Sequence, residues 1–310
     1  MRRLALIALA PALAAVLLVA TGVFRPGSET VATAQGEPAP PAAATVEQPP
    51  AGTLVLGGQA GTLAVGLAVR RTGPDALELE AHVLGPDGLG AEGLGVEFTS
   101  DTVAVAAIPC GAARYCASLR AAVPGEIDVQ IDGSGEPASA RFELPASWKP
   151  AGELVAGATR VYDELRTVVY DERLDPGRGR ALETRWRIAA PDRLAYRIAG
   201  GPSAVVVGAR RWDREAGGAW VASPQDPLTL PQPPWTGAVT SASLLGEQTL
   251  RNRKTWVVSF LDDAELPTWF TIWIEQSTGR TLEVQMTTAA HFMRQRYRSF
   301  DEPLRIEPPR

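Results

Sequence analysis

The chain has 310 residues, of which 45% are hydrophobic, and its formal net charge is -5. This length allows two ordinary domains with apolar cores. The pI of about 5.3 and the lack of a basic stripe argue against nucleic-acid binding, because a row of phosphates needs clustered lysine and arginine.

The amino-terminal segment predicts export. Arg2 and Arg3 precede an apolar run from Leu4 to about Phe24, so residues 1–27 are predicted to be a signal peptide or a membrane anchor. An uncleaved anchor is favoured, because the small-residue site Ala32–Thr–Ala34 lies far from the apolar run. The rest of the chain is expected at the extracytoplasmic face of the cell membrane, or secreted if the signal is cleaved. Residues 28–50 form a Pro- and Ala-rich linker.

Residues 51–146 predict a small all-β domain. Short alternating runs are separated by turn residues such as Gly85–Pro–Asp–Gly88, a rhythm typical of an immunoglobulin-like β-sandwich. The predicted strands lie at residues 54–56, 63–67, 77–83, 96–98, 103–105, 118–123, 127–131 and 141–144.

Cys110 and Cys116 are the two cysteines of the chain. In an oxidising compartment a close pair is most simply a structural disulfide, and two thiolate metal ligands are the alternative. Closing so small a loop contributes roughly 2 kcal/mol on the chain-entropy model.

The pattern Gly85–Pro–Asp–Gly88, Val96–Glu–Phe98, Pro109–Cys–Gly111 and Tyr115–Cys116 resembles the YtkA-like sandwich that follows the membrane part of copper resistance D-type proteins. The resemblance covers about ninety residues and implies a role beside a copper-transport membrane protein.

Residues 147–310 predict one helix followed by antiparallel strands. Leu154, Ala158, Val161 and Leu165 share one face of a helix over Glu153–Leu165. In the strands that follow, apolar residues alternate with arginines, which predicts a sheet with one covered and one solvated face. The proline-rich stretch from Pro224 to Pro234 is interpreted as a surface loop.

This order resembles the outer-membrane lipoprotein carrier superfamily (LolA- and LppX-like), as do the segments Ala190–Pro–Asp–Arg193, Val207–Gly–Ala–Arg–Arg–Trp212 and Ile274–Glu–Gln–Ser–Thr–Gly–Arg280. The resemblance implies a curved antiparallel half-barrel sheet with a packed helix, whose concave side holds acyl chains. The complete fold prediction is therefore mainly β (α+β). This chain offers only one clear helix as a lid.

No pattern of catalytic residues is present. His82 and His291 are the two histidines, and no Ser-His-Asp, Glu-x-x-His or phosphate-loop spacing occurs. The carboxylate pairs Asp171–Glu172 and Asp262–Asp263 are interpreted as solvated ends of strands. The sequence predicts a protein that is not an enzyme.

Candidate ligand-binding residues lie on the covered strand faces. Alternation places six apolar residues there: Trp186, Tyr196, Trp256, Phe270, Ile272 and Ile274. A plain core is the alternative for each of them. Trp269 and Trp273 fall on the opposite face of their strand, so a cavity, a docking surface against the first domain, or membrane contact all fit.

Copper is the second hypothesis. His291 and Met293 are two apart on one predicted strand and point the same way, and imidazole with thioether suits Cu(I). Met286 or His82 is a conceivable third ligand. The alternative is that both are ordinary strand residues, and no other cofactor is predicted.

The leading functional hypothesis is a non-catalytic, membrane-tethered binding protein that holds a lipid or other apolar small molecule in the second domain. The alternatives are an accessory protein in copper transport or resistance, and a structural envelope protein without a ligand. The predicted partners are this apolar ligand and the membrane that the amino-terminal segment enters.

Overall fold

A computed structural model of the chain describes residues 48–101, 103–120, 123–263 and 266–310. The predicted signal or anchor and most of the predicted linker lie outside these residues. Within them, no helix is both long and apolar enough to cross a bilayer. The prediction of a mainly β fold is confirmed, because one helix accompanies large antiparallel sheets in the part of the chain that the structure describes.

The first nine strands form two sheets that pack face to face. One sheet has the order β1-β2-β3-β7-β6 and the other the order β5-β4-β8-β9. The bounds are β1 Leu54–Ala60, β2 Leu63–Gly73, β3 Ala76–Leu84, β4 Gly95–Thr99, β5 Ala104–Ala106, β6 Ile108–Gly111, β7 Arg114–Leu119, β8 Glu126–Asp132 and β9 Ala138–Glu143. Alternate residues of both sheets, among them Val65, Leu79, Phe98 and Val129, fill the space between the sheets.

Two strands of the sandwich differ from the prediction. The strand predicted at residues 118–123 lies earlier, as β7, and β6 was not predicted. All four residues of β6 are exposed, so no apolar alternation marks this strand in the sequence. The predicted disulfide is confirmed: Cys110 on β6 and Cys116 on β7 are bonded, with their Cα atoms 5.8 Å apart.

The predicted helix is present as α1, Gly152–Asp163. Its buried residues are Val155, Ala158 and Tyr162, whereas Leu154 and Val161 are only half-buried. The predicted face was therefore about one residue out of position, because Tyr162 was left out of the apolar set. Tyr162 forms an edge-on contact with Tyr297, with ring centroids 5.8 Å apart.

The remaining strands form one antiparallel sheet of 12 strands in the order β10-β17-β18-β19-β20-β21-β11-β12-β13-β14-β15-β16. Their bounds are β10 Lys149–Pro150, β11 Thr167–Asp175, β12 Leu182–Ala189, β13 Arg193–Ile198, β14 Ser203–Val207, β15 Arg210–Arg214, β16 Val221–Pro224, β17 Ala238–Leu250, β18 Arg253–Asp263, β19 Pro267–Glu275, β20 Thr281–Thr288 and β21 His291–Phe300. One face of this sheet buries α1 in a large aromatic core.

Besides the two-residue β10, two of these strands, β11 and β17, were not predicted. Strand β17 reads AVTSASLLGEQTL, where polar residues and Gly246 break the alternation, and β11 carries a buried glutamate among its apolar positions. Both segments are strands because they pair with neighbouring strands: β11 lies between β12 and β21, and β17 lies between β10 and β18.

The opposite face of the sheet packs against the sandwich through Trp269. This side chain is 3% exposed and belongs to a cluster that joins Val55 and Ala64 of the sandwich to Leu261 of β18. A Cβ atom at Gly66 of β2 would lie 2.0 Å from the indole of Trp269. A glycine on the sandwich therefore makes the space that this indole occupies.

Candidate ligand-binding recess

The face of the 12-stranded sheet that buries α1 also contains a recess. Its walls are four aromatic side chains, Tyr162 of α1, Tyr170 of β11, Trp186 of β12 and Tyr196 of β13. The rings contact one another: Trp186 and Tyr196 have centroids 4.9 Å apart, and Tyr170 and Trp186 stack at 6.0 Å. Leu174, Ile188, Leu194, Val206 and Met293 complete the apolar lining.

The recess has a cavity volume of about 70 Å³, and of about 1000 Å³ when the part open to solvent is included. Ligand sites for drug-sized molecules usually hold roughly 300 to 1,000 Å³. The interior is therefore narrow, and a whole acyl chain enters only if the cover of the recess moves outward.

The cover is the segment of residues 225–237 between β16 and β17, which we call the strap. Leu228, Leu230, Pro233 and Pro234 of the strap line the recess. The prediction of a surface loop is correct in that the strap has no helix or strand, but Pro231, Pro233 and Trp235 are buried. The strap thus covers the recess together with α1.

The strap is fastened at its carboxyl end. Trp235 is 4% exposed, its Nε1 donates a hydrogen bond to Oγ1 of Thr159 on α1 (2.9 Å), and its ring meets Phe260 edge-on with centroids 5.7 Å apart. The backbone N–H of Thr236 donates to Oδ2 of Asp262 (3.0 Å). Nearer the amino end, the N–H of Leu230 donates to the carbonyl oxygen of Pro191 (2.8 Å).

Glu172 is the buried acid of the recess. The interpretation of Asp171–Glu172 as a solvated strand end is wrong for this residue, which lies inside β11 and is 6% exposed. Trp186 Nε1 donates to its Oε1 (3.1 Å) and Gln295 Nε2 to its Oε2 (2.9 Å). Burial raises the pKa of the Glu172 carboxyl, while the bonds from Gln295 and Trp186 and the charge of His291 act in the opposite direction.

The recess also contains a cation that the fold neutralises. Arg211 of β15 lines it, and its Nε donates to both carboxylate oxygens of Asp213 (2.9 and 2.8 Å). Its Nη2 donates to the hydroxyl oxygen of Tyr196 (3.1 Å). The guanidinium of Arg211 therefore already has a carboxylate partner.

A wider groove lies beside the recess and shares Glu172 and Met293 with it; its cavity volume is about 980 Å³, or about 1960 Å³ when the part open to solvent is included. Its walls carry many arginines: Arg173, Arg185, Arg197, Arg294, Arg296 and Arg298. Several of them pair with acids, as when Arg185 and Arg298 both bind Asp171. The groove is polar, so it does not extend the apolar surface of the recess.

The structure divides the six predicted ligand-binding residues into two groups. Trp186 and Tyr196 line the recess, together with Tyr170 and Glu172, which the sequence interpretation did not include. Phe270, Ile272 and Ile274 are buried in the core away from the recess, and Trp256 is half-buried against that core. The signal that could have identified β11 is the alternation of Val168, Tyr170, Glu172 and Leu174, with an acid at one inward position.

The second apolar face of β19 is accounted for by the sandwich. Trp269 packs between the two parts of the chain, and His82 of β3 meets its ring edge-on with centroids 6.1 Å apart. Trp273 is 9% exposed and donates from Nε1 to Oε1 of Gln248 (2.8 Å). Of the three roles that fitted these tryptophans, the geometry favours docking against the sandwich.

The two suggested copper ligands, His291 and Met293, lie in different surroundings. Met293 is buried beside Gln295 in the wall of the recess, whereas His291 is half-buried with Nδ1 3.1 Å from the carbonyl oxygen of Ala289. In the described residues, one group of three His, Cys, Asp or Glu side chains has metal-ligand spacing, and it consists of Glu80 and the disulfide-bonded Cys110 and Cys116. A copper role for His291, Met293, Met286 or His82 stays a prediction.

No protein-family model matches the chain, and no curated protein matches it in sequence. Among solved structures, lipoprotein LppX of Mycobacterium tuberculosis is similar over 50% of this chain and 97% of its own, with 12% identity and a TM-score of 0.41. LprF of Mycobacterium bovis covers 51% of this chain and 96% of its own, with 10% identity and a TM-score of 0.40.

A LolA superfamily protein of Nitrosomonas europaea covers 52% of this chain and 96% of its own, with 11% identity and a TM-score of 0.24. These are structures of the kind that the LolA- and LppX-like resemblance names. All three scores lie below 0.5, so the functional argument rests on the geometry of the recess. The likeness of the sandwich to YtkA-like domains, and the division of the chain near residue 146 into two domains, stay predictions.

Proposed function

We propose that this protein is a non-catalytic binding protein that holds the apolar part of a lipid or other small molecule in the recess under the strap. The observation that carries the proposal is the aromatic recess itself, with four rings and five other apolar side chains around a space covered by an irregular segment. A purely structural core would bring helices or strands over this face, since regular elements satisfy their own backbone hydrogen bonds.

Because the interior is narrow, the strap would have to move outward for a ligand to bind. The middle of the strap, which includes Leu228 and Gln232, has no regular structure, while Trp235 fixes its carboxyl end. Such a segment can move outward around a fixed end at little cost in backbone hydrogen bonds. A ligand would then enter between the strap and strand β13.

The extracytoplasmic, membrane-tethered location is part of this proposal. It is supported by the predicted signal or anchor at residues 1–27 and by the disulfide, which persists in oxidising compartments. A tethered protein of this kind would exchange its ligand with the membrane beside it.

Native mass spectrometry of the full chain, released gently from lipid nanodiscs, tests the proposal. We expect a fraction of the protein to carry an adduct of lipid mass. The variant Leu194→Trp places an indole in the recess and should abolish the adduct, whereas Val221→Trp, at a side chain that is 67% exposed, should leave it unchanged. Bare protein in every preparation, or equal adducts in both variants, would overturn the proposal.

A further inference from the structure

Glu172 is the one acidic side chain that lines the recess, and it indicates the chemistry of the polar end of the bound molecule. Resting on the proposed function, we propose that this polar end is an alkylammonium group, held by the Glu172 carboxylate and by the rings of Trp186 and Tyr196.

Glu172 is held in one position by neutral groups. Both of its oxygens accept hydrogen bonds, from Trp186 and from Gln295. The hydroxyl of Tyr297 in turn donates to Oε1 of Gln295 (2.8 Å), which fixes the orientation of the amide. The carboxyl is therefore aimed by a network of three side chains from β12 and β21.

This network does not supply a counter-ion. No ion pair among the described parts of the chain includes Glu172, whereas its neighbour Asp171 pairs with Arg185 and Arg298. A buried carboxylate without a cation is costly, and the raised pKa of Glu172 reflects that cost. A glutamine at this position has one acceptor oxygen and would turn its amide N–H toward one of these two donors. The carboxylate serves both donors, and a bound cation would offset its charge.

The rings around Glu172 favour a cation. The face of an aromatic ring carries negative partial charge, so an ammonium group over it is attracted, and more strongly as water is excluded. Trp186 and Tyr196 line the recess beside the acid, and Tyr170 and Tyr162 face the same space. The narrow interior beside these rings suits a compact head group, and the apolar part of the molecule would then lie under the strap once the strap has moved outward.

Arg211 marks the competing possibility of an anionic head group. Its guanidinium is bound by Asp213, so an anion there would have to displace or share an existing carboxylate. Glu172 forms no ion pair among the described residues, although the charge of His291 also acts on it. The balance of the two sites therefore favours a cation at Glu172 over an anion at Arg211.

Isothermal titration calorimetry on the full chain in nanodiscs tests this inference, with hexyltrimethylammonium, hexanoate and hexan-1-ol as probes and empty nanodiscs as the blank. We expect hexyltrimethylammonium to bind about tenfold tighter than the other two, as an ion pair in a ring-lined site implies. Glu172→Gln should remove this preference, and Tyr196→Leu should reduce it about threefold. Glu183→Gln, at an exposed acid on β12, is the matched control and should retain it.

The outcomes separate the two proposals. Equal binding of all three probes, unchanged by Glu172→Gln, would leave the apolar site in place and overturn the cationic head group. Preference for hexanoate would overturn it as well and would identify Arg211 as the polar anchor. If no probe binds and no lipid adduct is found, both proposals fail. Because Tyr196 is only half-buried, its variant still provides a test if Glu172→Gln does not fold.

Discussion

A double-mutant cycle between Gly66 and Trp269 tests how the sandwich and the 12-stranded sheet are joined. A Cβ atom at position 66 would lie 2.0 Å from two carbons of the indole, a distance that no packed Cβ tolerates. The backbone of Gly66 is not in the left-handed region, so alanine is permitted there in every other respect. The alanine side chain therefore forces the indole out of its position.

The magnitudes follow from the packing. Overpacking costs about 1 to 3 kcal/mol, and replacing a strand glycine recovers about 0.5 to 1 kcal/mol, so Gly66→Ala should destabilise the chain by about 1 to 2 kcal/mol. Trp269→Ala removes a side chain that is 3% exposed and should cost about 3 to 5 kcal/mol. In the double variant the new methyl group meets empty space, so Gly66→Ala should then cost nothing or stabilise slightly.

The assay is denaturant unfolding of the full chain in mild detergent, followed by far-ultraviolet circular dichroism. The expected coupling between the two substitutions is about 1 to 3 kcal/mol in the favourable direction. Gly125→Ala is the matched control, since nothing lies within 4 Å of a Cβ atom there. Additive effects within about 0.5 kcal/mol would refute the reasoning that the indole occupies the space above Gly66.

Three further predictions concern the sandwich, the disulfide and the strap. Burial lowers the pKa of His82 to about 4, so as the pH falls the unfolded chain binds a proton before the folded chain does, and stability falls between about pH 6.5 and pH 4. When unfolding is compared at pH 7 and pH 4.5, the His82→Gln variant should lose about 2 to 3 kcal/mol less stability than the wild type. An identical loss in both proteins would contradict the assignment. Cys116→Ser opens a loop whose cysteines are six residues apart and should lower the free energy of unfolding by about 2 kcal/mol, measured against the wild type reduced with dithiothreitol, which should match it. Trp235→Phe keeps an aromatic ring but loses the hydrogen bond to Thr159, so we expect a stability loss of about 1 kcal/mol and faster proteolysis within the strap, while unchanged cleavage would show that the strap is held elsewhere.

The sequence by itself determined the elements whose pattern is local. Alternation located most strands of both sheets, helical spacing located α1, and two close cysteines predicted the disulfide that joins β6 and β7. Alternation also placed Trp186 and Tyr196 on a covered strand face, because successive side chains of a strand point to opposite sides of the sheet. These features depend on residues that are neighbours along the chain.

Only the tertiary structure decided which of the covered faces encloses a space. Phe270 and Ile272 have the same alternation as Trp186, yet α1 and Trp235 fill the volume above them while the middle of the strap leaves the volume above Trp186 open. Alternation reports that a face is covered, and it does not report how closely the cover fits.

The same distinction applies to Glu172 and Trp269. Within its own strand the acid sits in a short run of charged residues, and its burial depends on Gln295 from β21, more than a hundred residues away. The second apolar face of β19 is explained by a glycine on β2, which leaves no mark on β19 itself. The recess and the contact between the sandwich and the 12-stranded sheet are both formed by residues that are distant in the sequence. The sequence therefore identified some of these residues but could not show which of them lie together.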